Sequence, residues 1–294
     1  MLDLNATSLR GSILLLWLVT LTPHITSARG KTPRWHTVDG AAAGASEAIG
    51  GYSKGCLQGG VSVGPTGKGF QIIRLERNRS WGHPTLATFV EGYGARLDAA
   101  GLPPALIGDL AQPRGGRMPS DHRSHQTGLD VDVWFSRPEG PHPLPRTAVQ
   151  AWTFPDLADK KTEEIHPDRL TKDRIEMLRL AAEDDTVARI FVSYVIKGAL
   201  CAQVKGDRSW LRKIRPWWGH RAHFHVRLHC PEGSPDCVPQ KTLPPGDGCD
   251  VWSWFTRAEV AARKARGEPK YTPPKIKRPR RCRQVLKARK ARSE

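Results

Sequence analysis

Gly128-Leu129-Asp130-Val131-Asp132-Val133-Trp134-Phe135 alternates strictly from Leu129 onward. Successive strand side chains point to opposite faces, so Leu129, Val131, Val133 and Phe135 share one face, and Asp130, Asp132 and Trp134 share the other. The stretch therefore reads as a strand with two carboxylates on one side. Just before it lies His122-Arg123-Ser124-His125-Gln126-Thr127. A turn containing Gly128 brings His125 back over the start of the strand.

A second stretch, Ala222-His223-Phe224-His225-Val226-Arg227-Leu228, follows the same rule. Phe224, Val226 and Leu228 point one way, and His223, His225 and Arg227 the other. Paired with the Asp132 strand, it completes a site of two imidazole nitrogens and one carboxylate oxygen, leaving a fourth position for water. That is how catalytic zinc is held, whereas structural zinc is closed by four protein ligands. A single histidine here would read as a surface or satisfied core residue. The joint pattern favours a metal, because five of the eleven histidines fall in two short motifs, 115–135 and 217–228, the second including His220, and the first carries acids on the matching face.

Working outward, helical spacing of Leu86, Phe89, Val90, Tyr93 and Leu97 predicts a helix over 84–99, and Ile175, Leu178 and Ala182 predict another over 171–184. Residues 189–195 and 222–228 read as strands. No repeat recurs, and Gly and Pro punctuate the chain. The expected fold is α+β: a small central antiparallel sheet carrying the zinc site, flanked by helices and long disulfide-braced loops.

Residues 1–28 read as an export signal, with Arg10 before the apolar run 13–19 and Thr26-Ser27-Ala28 offering a cleavage site near Ala28. Residues 29–262 then form one catalytic domain. Residues 263–294 hold 14 Lys or Arg against two Glu, so +12 of the net charge of +17 sits there. Such a run reads as a basic tail, disordered beyond Cys282 and attracted to polyanions. A polyanion-binding or nucleic-acid-binding protein is the competing reading, but it leaves the His and Asp pattern unexplained, and no nucleic-acid partner is expected. The six cysteines of an exported chain imply three disulfides rather than a thiolate metal site, with the pairing open.

The His125 to Asp132 spacing followed by His223-Phe224-His225 resembles the penicillin-insensitive murein endopeptidases, within the metallopeptidases that include lysostaphin-like and D-alanyl-D-alanine enzymes. The likeness continues through Ser53-Lys54-Gly55-Cys56, Gly82-His83-Pro84, Leu106-Ile107-Gly108-Asp109, Arg189-Ile190-Phe191-Val192, Trp210-Leu211-Arg212-Lys213 and Gly246-Asp247-Gly248-Cys249. The resemblance implies a catalytic Zn2+ on His125, Asp132 and His225, with His223 and His220 as the catalytic histidines. It also implies a second metal position using His122, completed by a D-x-x-H motif for which this chain offers only Glu163 and His166. Asp130 is expected to support the site rather than bind metal.

By the same resemblance the substrate is the D-alanyl to meso-diaminopimelyl cross-link of peptidoglycan and the compartment is the periplasm. The disulfides it implies are Cys56 with Cys282, Cys201 with Cys249, and Cys230 with Cys237, the first pinning the base of the tail. Arg117, Arg123 or Arg221 could meet substrate carboxylates, although each is expected to be a solvated surface residue. Of Trp217 and Trp218, at least one is expected in the core.

Overall fold

In a computed structural model of the chain, the described residues are 34–119, 122–140, 142–269, 272 and 276–291. The expected export signal, residues 1–28, lies outside them. Elements follow in the order β1 (Glu47–Gly51), β2 (Lys54–Gln58), β3 (Val61–Ser62), β4 (Thr66–Gly67), β5 (Phe70–Ile72), β6 (Trp81–Gly82), α1 (Pro84–Ala99), β7 (Ala105–Ile107) and β8 (Asp130–Trp134). After these come α2 (Arg146–Ala151), α3 (Lys172–Ala182), β9 (Val187–Ser193), α4 (Tyr194–Gln203), β10 (Ile214–Trp217), β11 (His223–Leu228), α5 (Arg257–Ala265) and α6 (Arg281–Lys287).

The central sheet has seven strands in the order β10-β9-β11-β8-β7-β5-β4. Its middle is antiparallel, β11 pairing with both β8 and β9, while β9–β10 and β5–β7 are parallel. The apolar face of the two motif strands is the core. Leu129, Val131, Val133, Phe135, Phe224, Val226 and Leu228 are buried there against Leu86, Phe89 and Tyr93 of α1 and Met177 and Leu178 of α3. Tyr93 also donates to the Met177 carbonyl at 3.1 Å, tying the two helices together. The helices cover one face and leave the polar face of β8 and β11 for chemistry.

Local signals set the boundaries. The α1 helix starts at Pro84, whose fixed φ suits the first helical position, and the preceding His83 accepts from the Thr85 amide. Thr171 caps α3 through the Arg174 amide. The strand expected over 189–195 ends at Ser193, because its hydroxyl accepts from the Val195 amide and starts α4. Gly128 has φ 73°, and a Cβ there would press on the His83 amide and Leu57, so this turn needs glycine.

Three disulfides brace the fold, Cys56–Cys282, Cys201–Cys249 and Cys230–Cys237. The first lies in a second small core with Ala42, Ile49 and Val285. Here the expectation of a disordered segment beyond Cys282 is corrected. Residues 281–287 are helical with Val285 and Leu286 buried, and the Lys290 backbone bridges to Ala42. Buried Arg114 explains the order: it donates to the carbonyls of Gly40, Val285, Leu286 and Ala288, satisfying the groups that a helix C-terminus leaves unpaired. Among the described residues no helix is long and apolar enough to cross a membrane.

Candidate active site

The β8–β11 register sets His225 opposite Asp132, Arg227 opposite Asp130 and His223 opposite Trp134. Directly opposed residues point to the same side of a sheet, so the acids of one motif meet the imidazoles of the other. His225 Nδ1 lies 2.9 Å from Asp132 Oδ1, and its Nε2 lies 2.8 Å from Asp130 Oδ1. Asp130, fully buried, also accepts from Arg227 Nε at 2.6 Å and from the His125 amide at 3.0 Å. That last bond, with left-handed φ angles at His125 (62°) and Gly128 (73°), folds the loop back over the strand.

His125 thereby packs edge-on against His225, ring centroids 4.6 Å apart, with His122 on its other side at 5.1 Å. Its Nε2 is 3.4 Å from Asp132 Oδ1 without the alignment of a hydrogen bond, and both ring nitrogens are buried with no hydrogen-bond partner. His122 spans two acids, Nδ1 lying 3.5 Å from Asp132 and Nε2 3.1 Å from Asp109. One ligating atom each from His122, His125 and Asp132 lie within 4.8 Å of one another, a group able to hold a metal ion. His223 Nε2 approaches Asp132 to 3.8 Å, and the His220 ring is 5.2 Å from His223 and 5.8 Å from His225.

Burial would raise the carboxyl pKa values, yet the imidazole and guanidinium groups beside them outweigh it. His125 and His223 hold Asp132 well below its ordinary range. Arg227 and His225 do the same for Asp130, and His122 with Arg79 lower Asp109 to about 2. His225 is opposed by its burial but raised by Asp130 and Asp132. Burial lowers His223, and lowers His220 to about 3, so both are neutral at neutral pH and able to accept a proton. His220 Nδ1 sits 2.9 Å from the Trp218 carbonyl. A carbonyl only accepts, so Nδ1 carries the hydrogen and Nε2 keeps its lone pair.

These residues fit a metal. A buried imidazole with both nitrogens unpaired costs about 1–3 kcal/mol unless something else uses the lone pair, and imidazole nitrogen with carboxylate oxygen is a zinc-type donor set. Asp130 holds the His225 ring through Nε2, the kind of carboxylate contact that orients metal-ligating histidines in other proteins.

Not every expected residue joins the cluster. Glu163 accepts from the Tyr194 hydroxyl and the Arg257 amide, and neither it nor His166 belongs to a metal-ligating group among the described residues. Arg221 is paired with Asp156 at 2.8 Å. Trp217 and Trp218 are 37% and 48% exposed, so neither is a core residue; they meet Phe255 at an angle, ring centroids 6.1 and 4.9 Å away, on the segment leading to His220. Sequence reasoning gave no role to Asp109, Arg227 or Arg74. Only Arg227 carried a signal, its place on the histidine face of β11.

A family model described as penicillin-insensitive murein endopeptidase matches residues 48–287. The chain is 40% identical over 245 residues to a protein of that name from Haemophilus influenzae, covering 83% of each chain. It is 39% identical over 266 residues to one from Yersinia enterocolitica (88% of this chain, 93% of the relative). A third, from Salmonella paratyphi B, is 37% identical over 268 residues (90% and 93%).

Proposed function

The chain belongs to the penicillin-insensitive murein endopeptidase family and is a peptide hydrolase, and from that premise we propose that it is a zinc-dependent enzyme of the periplasm that hydrolyses D-alanyl to meso-diaminopimelyl cross-links in peptidoglycan. His125, Asp132 and His225 bind the metal, with His122 beside them. The observation that carries the reading is the buried His125 ring, unpartnered at both nitrogens and turned toward Asp132.

Zinc held there supplies a Lewis acid that polarises the scissile carbonyl and brings the pKa of water toward neutrality. Asp130 fixes the His225 ring through Nε2 and leaves Nδ1 facing Asp132. His223, held neutral by burial, takes the proton of the attacking water. That proton must end on the leaving amine nitrogen as the C–N bond breaks; His220, whose Nε2 lone pair is left free because Nδ1 donates to the Trp218 carbonyl, is placed to take it from His223 and hand it to the amine. No serine takes part in this scheme, so a β-lactam has nothing to acylate.

The positive charge of residues 263–294 adds adsorption to anionic envelope material, which weakens as salt rises. A non-catalytic wall-binding protein would not need two neutral histidines beside a metal-ligand set. The test is incubation of purified protein with cross-linked muropeptide dimers, followed by mass spectrometry of the products. New monomers carrying a free diaminopimelyl amine support the reading. Cleavage within the glycan, or none with zinc supplied, refutes it.

A further inference from the structure

Beyond the histidine cluster, β8 continues into a second feature. Trp134, opposite His223 and 5.0 Å from its ring, has its own neighbour in the guanidinium of Arg74, centred 4.6 Å over the indole and 5.0 Å over Phe154. A single indole thus separates His223 from Arg74. Arg74 lines a cavity of about 450 Å³ whose walls include Trp152, Phe154, Arg77 and Arg146. That volume is within the range of small-ligand sites.

Arg74 is built into this wall. It is half-buried, its backbone is left-handed (φ 56°), and its guanidinium makes no hydrogen bond or ion pair among the described residues. Contact with two aromatic rings restricts the guanidinium while leaving its N–H donors unused, and a guanidinium with free donors suits bidentate recognition of a carboxylate. Arg77 is shared with Asp109 at 3.4 Å, and Arg146 is exposed on α2. Against these three cations the lining holds one acid, Glu76.

We propose that this cavity is a carboxylate-binding subsite, in which Arg74, helped by Arg146, holds a free carboxylate of one peptide stem while the cross-link lies across His223. The proposal rests on the peptidase reading above and deepens it, because a peptide extending from the scissile bond past Trp134 reaches Arg74 next. Arg74 is a specificity residue, not a proton-transfer group.

The test compares a cross-linked stem-peptide dimer with the same dimer after its carboxylates are converted to amides, using zinc-loaded full chain. Wild type should favour the acid form in kcat/KM by about tenfold or more, the scale of a charge-assisted hydrogen bond. Arg74→Gln should erase that preference, mainly through KM, Arg74→Lys should keep part of it, and Arg146→Gln, an exposed change that spares the fold, should reduce it. A ratio of acid to amide unchanged in Arg74→Gln, or no preference in wild type, overturns the subsite. If wild type cleaves neither dimer, the peptidase reading fails instead, and calorimetric binding of the linear stem peptide decides the subsite alone. The acid should then bind about tenfold tighter than the amide in wild type and equally in Arg74→Gln; equal binding of acid and amide by wild type, or no binding, overturns it.

Discussion

Replacing Asp130 by Asn separates what holds the site together from what performs its chemistry. The carboxylate is fully buried and accepts from Arg227 Nε at 2.6 Å, His225 Nε2 at 2.8 Å and the His125 amide at 3.0 Å. Its amide leaves Arg227 as a buried cation whose remaining neighbours are the rings of Tyr52 and Phe191 at 4.2 and 5.0 Å. Breaking a buried ion pair from one side costs about 3–5 kcal/mol. The ring contacts are present in both proteins and do not offset this, so a loss of about 3–5 kcal/mol is expected in urea unfolding with chelator present. Zinc affinity should fall about 10–100-fold, as for other carboxylates that orient a ligand histidine. Adding Arg227→Met should recover most of the stability, since the stranded charge is gone, but not the zinc affinity. Stability within about 0.5 kcal/mol of wild type for Asp130→Asn, with unchanged zinc affinity, would refute the reasoning.

Three further outcomes follow from the same geometry. His225→Ala should lose both bound zinc and turnover, whereas His223→Ala should keep most of its zinc while turnover drops about 10²–10⁴-fold; metal content beside rate reads this, and the inverse result exchanges the two roles. Asp109, lowered to about 2, contributes stability that is fully present above its unfolded pKa near 4 and is lost as pH falls through 2. That loss, about 2 kcal/mol across this window, should be missing in acid unfolding of Asp109→Asn. Ending the chain before Arg281 removes α6 and the Cys56–Cys282 bridge and exposes Arg114, so the melting temperature should fall by more than about 5 °C, the scale of several kcal/mol in a domain of this size; an unchanged melting temperature would show the C-terminal helix to be a passenger.

The residues legible in the sequence were those whose position is fixed by local periodicity. Alternation places Asp132 and His225 on matching faces, and Gly128 marks the turn that returns His125. The same alternation misleads about exposure: Asp130 and Asp132 are buried like the apolar face, because the loop carrying His122 and His125 covers them. Asp109 and Arg74 reach the site from segments with no periodic signal, held by contacts across 30 residues or more to Arg79 and Trp134. The C-terminal segment reads as a tail because its composition is basic. Its order comes from a disulfide 226 residues apart in sequence and from Arg114, and neither leaves a mark in the local pattern. Ser193 could have shown the true end of β9, since a serine before a helical run is a cap signal.

Hydrolysis of a muropeptide dimer by chelated protein as zinc is titrated back tests the central claim most directly. Activity should be absent without metal, return in proportion to the first equivalent of zinc per chain, and fail to return in His125→Ala at the same zinc concentrations. Full turnover by protein shown to hold far less than stoichiometric metal, or undiminished zinc-restored turnover in His125→Ala, would contradict the account.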